Sequence, residues 1–281
     1  MATPLSADAL ARALRGEGVR VSEHGNWQTH NRNHKGAWGP VAGVMLHHTA
    51  GTDSLALCRA GTPDLPGPLC IGLITKDGTI HLVGYGRTNH AGSGSSAVLA
   101  AVQAEKPLPS TGPDTVDGNS RFYGFEIENR GDGRDPYPTA QLDAVERLSA
   151  ALCRAHGWSA ASVIGHKEWT RRKIDPSFSM PGMRDRIGAR IGTAPSTPPP
   201  YVAFPGAAFF RPGRNSPLIT AVGRRLNAEG CGLYTVGPGP VWGEADRRSY
   251  AAWQRRLGYT GSAADGIPGR ASWDKLRVPH L

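Results

Sequence analysis

Four of the six residues from 195 to 200 are proline, within the run GTAPSTPPPYVAFPG that begins at Gly192. Proline lacks a backbone N–H and fixes φ, so such a run resists helix and sheet and acts as a stiff extended spacer. Two folding units are therefore expected: a domain over 1–192, a linker over 193–202 and a smaller domain over 203–281. The full length of 281 residues is sufficient for both. Charge is shared unevenly between them. The chain carries 32 Lys and Arg against 23 Asp and Glu, net +9, and residues 201–281 hold 11 basic and 5 acidic side chains, net +6. A basic excess directs a protein toward anionic partners. Nucleic acid is not expected among them, because no helix-turn-helix, zinc-finger or RNP pattern occurs. No stretch approaches the ~20 apolar residues of a membrane span. The opening residues MATPLSADALARALRGEG lack the basic start and apolar core of a secretory signal. They read as a short helix capped by Ser6, with Ala7, Leu10, Ala11 and Leu14 on one face and Gly16 as its stop.

The larger part alternates strand and helix patterns. VAGVMLH reads as a buried strand and CIGLITKDGTIHLVG as a hairpin turning at Asp77-Gly78. FYGFEIEN places Phe125 and Ile127 on one face and Glu126 and Glu128 on the other. PTAQLDAVERLSAALCRAHGW is a helix with Thr139 as its cap, an apolar stripe of Leu142, Val145, Leu148 and Leu152, and Gly157 as its end. ASVIGH is a further strand ending at His166. The fold class is therefore α/β: a mixed central sheet flanked by helices, plus a small, mainly helical C-terminal domain. Cys58, Cys70, Cys153 and Cys231 are too scattered for a disulfide scaffold. Cys58 and Cys70 flank one loop and are read either as its bridge or as two buried thiols, the thiols being favoured.

Two histidines, His47 in VMLHHTAG and His166, end apolar strands, where α/β sheets commonly carry sites. GHKEWTRRKIDPSF then supplies Lys173 and Asp175. Two histidines and a carboxylate form a zinc ligand set that leaves a fourth position open. Neither H-E-x-x-H nor the deaminase signature is present. On residue pattern alone, His166 is also readable as a helix-start or loop histidine and Asp175 as a turn residue before Pro176.

VMLHHTAG, NHAGSG, GFEIEN and GHKEWTRRKIDPSF, in this order, resemble the zinc-dependent N-acetylmuramoyl-L-alanine amidases of the peptidoglycan-recognition type. The likeness spans roughly residues 35 to 185 and is strongest to endolysins of phages that infect actinobacteria. It implies zinc as cofactor, with His47, His166 and Asp175 as ligands and His48 facing away. It implies Glu126 as the proton shuttle and Lys173 as the group that stabilises the oxyanion. His90 and Asn129 are read as substrate contacts, and Glu128 as the lesser candidate for the base. Some family members place a tyrosine before the hairpin; here PLCIGLITKDG has none, so the proton-shuttling role rests on Glu126 alone. The reaction implied is hydrolysis of the amide joining the lactyl group of N-acetylmuramic acid to L-alanine of the stem peptide. The alternative is a non-catalytic peptidoglycan-recognition protein on the same fold.

The C-terminal run AWQRRLGYTGSAADGIPGRASWDKL resembles a helical peptidoglycan-binding module over about residues 203 to 279. Trp253 is read as core, whereas Trp242, in a loop, is read as an aromatic that faces sugar. The Arg pairs 224–225, 247–248 and 255–256 are read as solvated helix faces that also attract an anionic wall. Bacterial peptidoglycan is thus the expected partner of a monomer that inserts in no membrane. The missing signal favours a protein held in the host bacterial cytoplasm until lysis.

Overall fold

The computed structural model describes residues 1–193 and 201–279. Of the linker expected over 193–202, residues 194–200 lie outside the described residues. The chain divides into two compact units, Met1–Thr197 and Pro198–Leu281.

The first unit opens with helix α1 (Ala7–Gly16), which buries Leu10, Ala11 and Leu14 and is capped by Ser6, whose hydroxyl accepts from the Ala9 amide. It continues through β1 (Arg20–Glu23), β2 (Gly43–His48), α2 (Leu55–Ala60), β3 (Gly72–Ile74), β4 (Thr79–Leu82), β5 (Ser93–Ser95), α3 (Ser96–Gln103) and β6 (Asp114–Asp117). Then follow β7 (Phe122–Ile127), α4 (Thr139–His156), β8 (Val163–Gly165), α5 (His166–Trp169) and α6 (Met180–Ile191). Six strands form one sheet in the order β1-β4-β3-β7-β2-β8, and β5 and β6 form a separate antiparallel pair. The large sheet is mixed, because only β3 and β4, the hairpin around Asp77-Gly78, run antiparallel to each other.

Strand periodicity sorts side chains to the two faces. From β2 and β7, Val44, Leu46, Tyr123, Phe125 and Ile127 join the core that also takes Leu10 and Leu14 of α1, Val145, Leu148 and Leu152 of α4, and Met183 and Ile187 of α6. Met45 and Phe122 join a second cluster with Val98 and Val102 of α3, Ile164 and Trp169. By the same alternation His47 and Glu126 lie on this second face and His48 on the first. Parallel pairing places His47 directly beside Glu126 across the β2–β7 ladder.

Helix α4 ends as its sequence implies, with Gly157 in the left-handed region at φ 67°. Its start differs from expectation. Pro138, not Thr139, occupies the cap position, with extended dihedrals and no side-chain cap bond. A proline there has no donor to satisfy and its fixed φ leads into the helix.

The second unit packs α7 (Pro217–Ala228), α8 (Glu244–Arg256) and α9 (Arg270–Leu276) around Val222, Leu226, Tyr250, Trp253 and Trp273. The indole N–H of Trp253 donates to the Ser272 carbonyl and that of Trp273 to the Val202 carbonyl, so both polar edges are satisfied in the core. Trp242, expected as a sugar-facing loop aromatic, is buried to 2% exposure against Phe210, ring centroids 4.9 Å apart. A loop position did not imply a solvent-facing ring, because this small unit recruits loop residues to complete its core. The Arg pairs also divide: Arg225 is half-buried, bonded to the Leu276 carbonyl and paired with Glu229, whereas Arg224, Arg248 and Arg255 are exposed. Among the described residues no helix is long and apolar enough to cross a membrane.

Candidate active site

The carboxyl end of β2, the neighbouring β7, the start of α5 and the loop after it meet around a cavity of about 580 Å³ in the first unit. His47 reaches it from the last turn of alternation in β2. His166 reaches it as the first residue of α5, where β8 gives way to helix. That transition is pinned by Glu168, which accepts from the Gly165 amide at 3.0 Å and is held by both terminal nitrogens of Arg184 at 2.8 Å. The following loop folds back so that the Lys167 amide donates to the Asp175 carbonyl at 2.7 Å, presenting the Asp175 carboxylate inward.

The three groups converge. His47 Nδ1 and His166 Nδ1 are 3.0 Å apart, and each lies 3.3 Å from Asp175 Oδ2. All three side chains are buried, and they form the single group of potential metal ligands found among the described residues. Donors bound at about 2.0–2.1 Å to a tetrahedral zinc lie about 3.3–3.4 Å from each other, so this triangle fits. Its electrostatics fit too. Burial, and then the His166 charge, lower the His47 pKa to about 4, which leaves the ring neutral and its lone pair available. Burial works against ionisation of Asp175, but its contacts with His166 and His47, each 3.3 Å away, outweigh it and hold the carboxyl below the usual carboxylate range.

Glu126 lines the same cavity. Its Oε2 is buried without a hydrogen-bond partner, and burial, then the Asp175 charge, raise its pKa to about 8 against the opposing charge of Lys173. Lys173 itself is exposed at the cavity wall. Glu128 sits past the end of β7, is buried, and accepts from the Ser54 amide at 3.4 Å; it does not line the cavity. His48 is half-buried on the other face, with Nδ1 3.2 Å from the Tyr137 hydroxyl.

The two expected substrate contacts are both buried, and only His90 borders the cavity. Asn129 is 1% exposed and does not line the cavity; its amide donates to the Asp135 carbonyl and its oxygen accepts from the Gly131 amide, which ties down the loop after β7. His90 borders the cavity but is 8% exposed, with Nδ1 2.9 Å from His47 Nε2. Sequence reading had not singled out Asn119, whose Oδ1 accepts from the amides of His90 and Ala91, or Arg172, which lines the cavity while bonded to Asp114. An Asn in a Gly-Asn-Ser turn has no local pattern that reveals a partner 28 residues away. Cys58 and Cys70 are buried free thiols; burial, a hydrogen bond with Cys58 and the nearby Glu126 push the Cys70 thiol up.

Residues 37–178 match the model of the N-acetylmuramoyl-L-alanine amidase family, and the chain belongs to that family. It is accordingly a peptidoglycan amidase, a hydrolase of the amide between N-acetylmuramic acid and L-alanine. Among solved structures it is similar to the endolysin N-acetylmuramoyl-L-alanine amidase LysCS from Clostridium intestinale, at 18% identity over 63% of this chain and 97% of that one, TM-score 0.39. It is likewise similar to a mutant endolysin from Bacillus subtilis, at 18% identity over 60% and 99% of the two chains, TM-score 0.39. A third is the amidase AmiD from E. coli in complex with anhydro-N-acetylmuramic acid-L-Ala-D-gamma-Glu-L-Lys, at 18% identity over 88% and 91%, TM-score 0.38. No curated protein matches the chain.

Proposed function

We propose that this amidase is a zinc enzyme of endolysin type, with His47, His166 and Asp175 as ligands, Glu126 as proton shuttle and Lys173 as oxyanion stabiliser. The observation that carries the reading is the buried triangle of two imidazole nitrogens and one carboxylate oxygen. The Ala91 carbonyl accepts from His166 Nε2, which leaves the His166 Nδ1 lone pair facing the triad 3.0 Å from His47 Nδ1, where a cation can join the two nitrogens. Zinc held there supplies Lewis acidity, polarising the scissile carbonyl and acidifying water. The residues around it do the rest. Glu126, one strand over, takes the proton of the attacking water and returns it to the leaving amine of L-alanine. Lys173 places positive charge at the rim, where the carbonyl oxygen becomes negative. The buried floor excludes bulk water, which strengthens each of these interactions.

The second unit, with its +6 charge over 201–281, is read as the module that holds the enzyme on the wall. Bacterial peptidoglycan is the substrate, and the actinobacterial wall is the first one to test. Digestion of purified actinobacterial walls with mass analysis tests the reaction: free stem peptides beginning in L-alanine are expected, and new reducing sugar ends would refute it. Chelation should abolish lysis and added zinc restore it. Full metal content and full activity in Asp175→Ala would overturn the ligand set.

A further inference from the structure

We propose that the dipeptide His90–Ala91, held in place by Asn119, orients both histidine ligands, so that His90 is a positioning residue for His47 and not a substrate contact. The proposal rests on the zinc reading above. Both ligand rings present Nδ1 to the triad, and in both the opposite nitrogen, Nε2, meets this one dipeptide. His166 Nε2 lies 3.1 Å from the Ala91 carbonyl oxygen. A carbonyl only accepts, so the proton of His166 is fixed on Nε2 and the Nδ1 lone pair is left facing the triad. His47 Nε2 lies 2.9 Å from His90 Nδ1. A His47 that ligates through Nδ1 carries its proton on Nε2 and donates it, and His90 Nδ1 must then be the acceptor. The Ala91 carbonyl thus sets the tautomer of His166, and His90 Nδ1 is placed to accept from the tautomer of His47 that ligates through Nδ1.

The dipeptide is itself held. Asn119 Oδ1 accepts from the amides of His90 at 2.9 Å, Ala91 at 2.8 Å and Gly92 at 3.4 Å. Asn119 is buried, and its own amide donates to Asp117 Oδ1 at 3.1 Å. Strand β7 makes room for the His90 ring with Gly124, where a Cβ would fall 2.3 Å from His90 Cγ. The ring is therefore enclosed by β7 on one side and by His47 on another, and its rings pack edge-to-face with His47 at 5.1 Å between centroids. Such partners of metal-ligating histidines fix ring orientation and basicity, and losing one costs about 10–100-fold in metal affinity.

The test uses the full-length protein and zinc itself. The zinc dissociation constant is measured by competition with a chromogenic chelator for the wild type, His90→Leu and His90→Asn, followed by kcat and KM of the zinc-saturated forms. His90→Leu should weaken zinc binding about 10–100-fold and lower kcat with little change in KM. In His90→Asn the side-chain oxygen can stand where Nδ1 accepts, and most of the affinity should return. Unchanged zinc affinity with a raised KM in His90→Leu would overturn the proposal in favour of substrate contact. A wild type that binds no zinc would sink the metal reading and this proposal together, whereas a zinc-binding wild type matched by His90→Leu would sink this proposal alone. Should His90→Leu fail to fold, long-range ¹H–¹⁵N spectra of the zinc-loaded wild type decide: His47 protonated at Nε2 with His90 unprotonated at Nδ1 supports it, and a proton on His90 Nδ1 overturns it.

Discussion

Glu126 and Glu128 share a strand face in the sequence, yet their surroundings assign them different work. Glu128 Oε1 is bonded to the Ser54 amide, and the residue does not line the cavity. Glu126 has an oxygen buried with no partner beside His47, and burial raises its carboxyl toward neutrality. A proton shuttle needs that property, since a group that must take and return a proton works best with its pKa near the working pH. Glu126→Gln keeps the shape and removes the basic oxygen. It should retain zinc and substrate binding and lose roughly 10²–10⁴-fold in turnover, measured as kcat alongside metal content. Glu128→Gln should stay within a few-fold of wild type. Near-normal turnover in the first variant, or collapse in the second, would transfer the role. That this position is acidic was readable from the chain. That its oxygen is unpartnered was not, because burial depends on what β3 and the loops place around it.

Elements with several turns or alternations were legible. β2, β7, the hairpin at Asp77-Gly78 and α4 all declare themselves by period, and alternation alone separates His47 from His48. The three-residue β5 and the four-residue α5 that presents His166 have too few positions to carry a period. Their placement comes from tertiary contacts, as with Glu168 and Arg184 at the start of α5. The His47, His166 and Asp175 cluster was legible as residue types, but the contact of both rings with His90–Ala91 was not, since Asn119, which holds that dipeptide, acts across 28 residues. In the second unit the helices were legible and Trp242 was misread, because loop membership says little about burial in a domain this small. Trp242→Ala should therefore cost about 3–5 kcal/mol of stability in that unit, read as a lowered denaturant midpoint, with catalysis on soluble fragments unchanged. Undiminished stability combined with lost wall binding would return Trp242 to a sugar-contacting role.

At the scale of the whole chain, chemistry and charge are segregated. Every residue of the proposed site lies in the first unit, whereas residues 201–281 carry +6 of the net +9. Each unit has its own apolar core, which is what independent folding requires. On the proposed reading of the second unit as a wall-binding module, an insoluble substrate makes the separation useful: tethering would raise the local concentration of wall bonds around the catalytic unit without adding any contact to the reacting amide. Residues 1–192 alone should then stay folded and cleave a small soluble muropeptide at nearly the full-length rate, because that reaction gains nothing from tethering. On intact walls the same fragment should be clearly slower. Residues 201–281 alone should sediment with purified walls, and less so as salt rises, since exposed charges lose their reach once the screening length falls to about 10 Å at 0.1 M. The measurements are two rate ratios and one salt titration. If the isolated second unit bound no actinobacterial wall at low salt while the first lysed whole cells as well as the full chain, tethering would be ruled out. The second unit would then have to serve the amidase unit structurally, and 1–192 alone should show a lowered melting temperature.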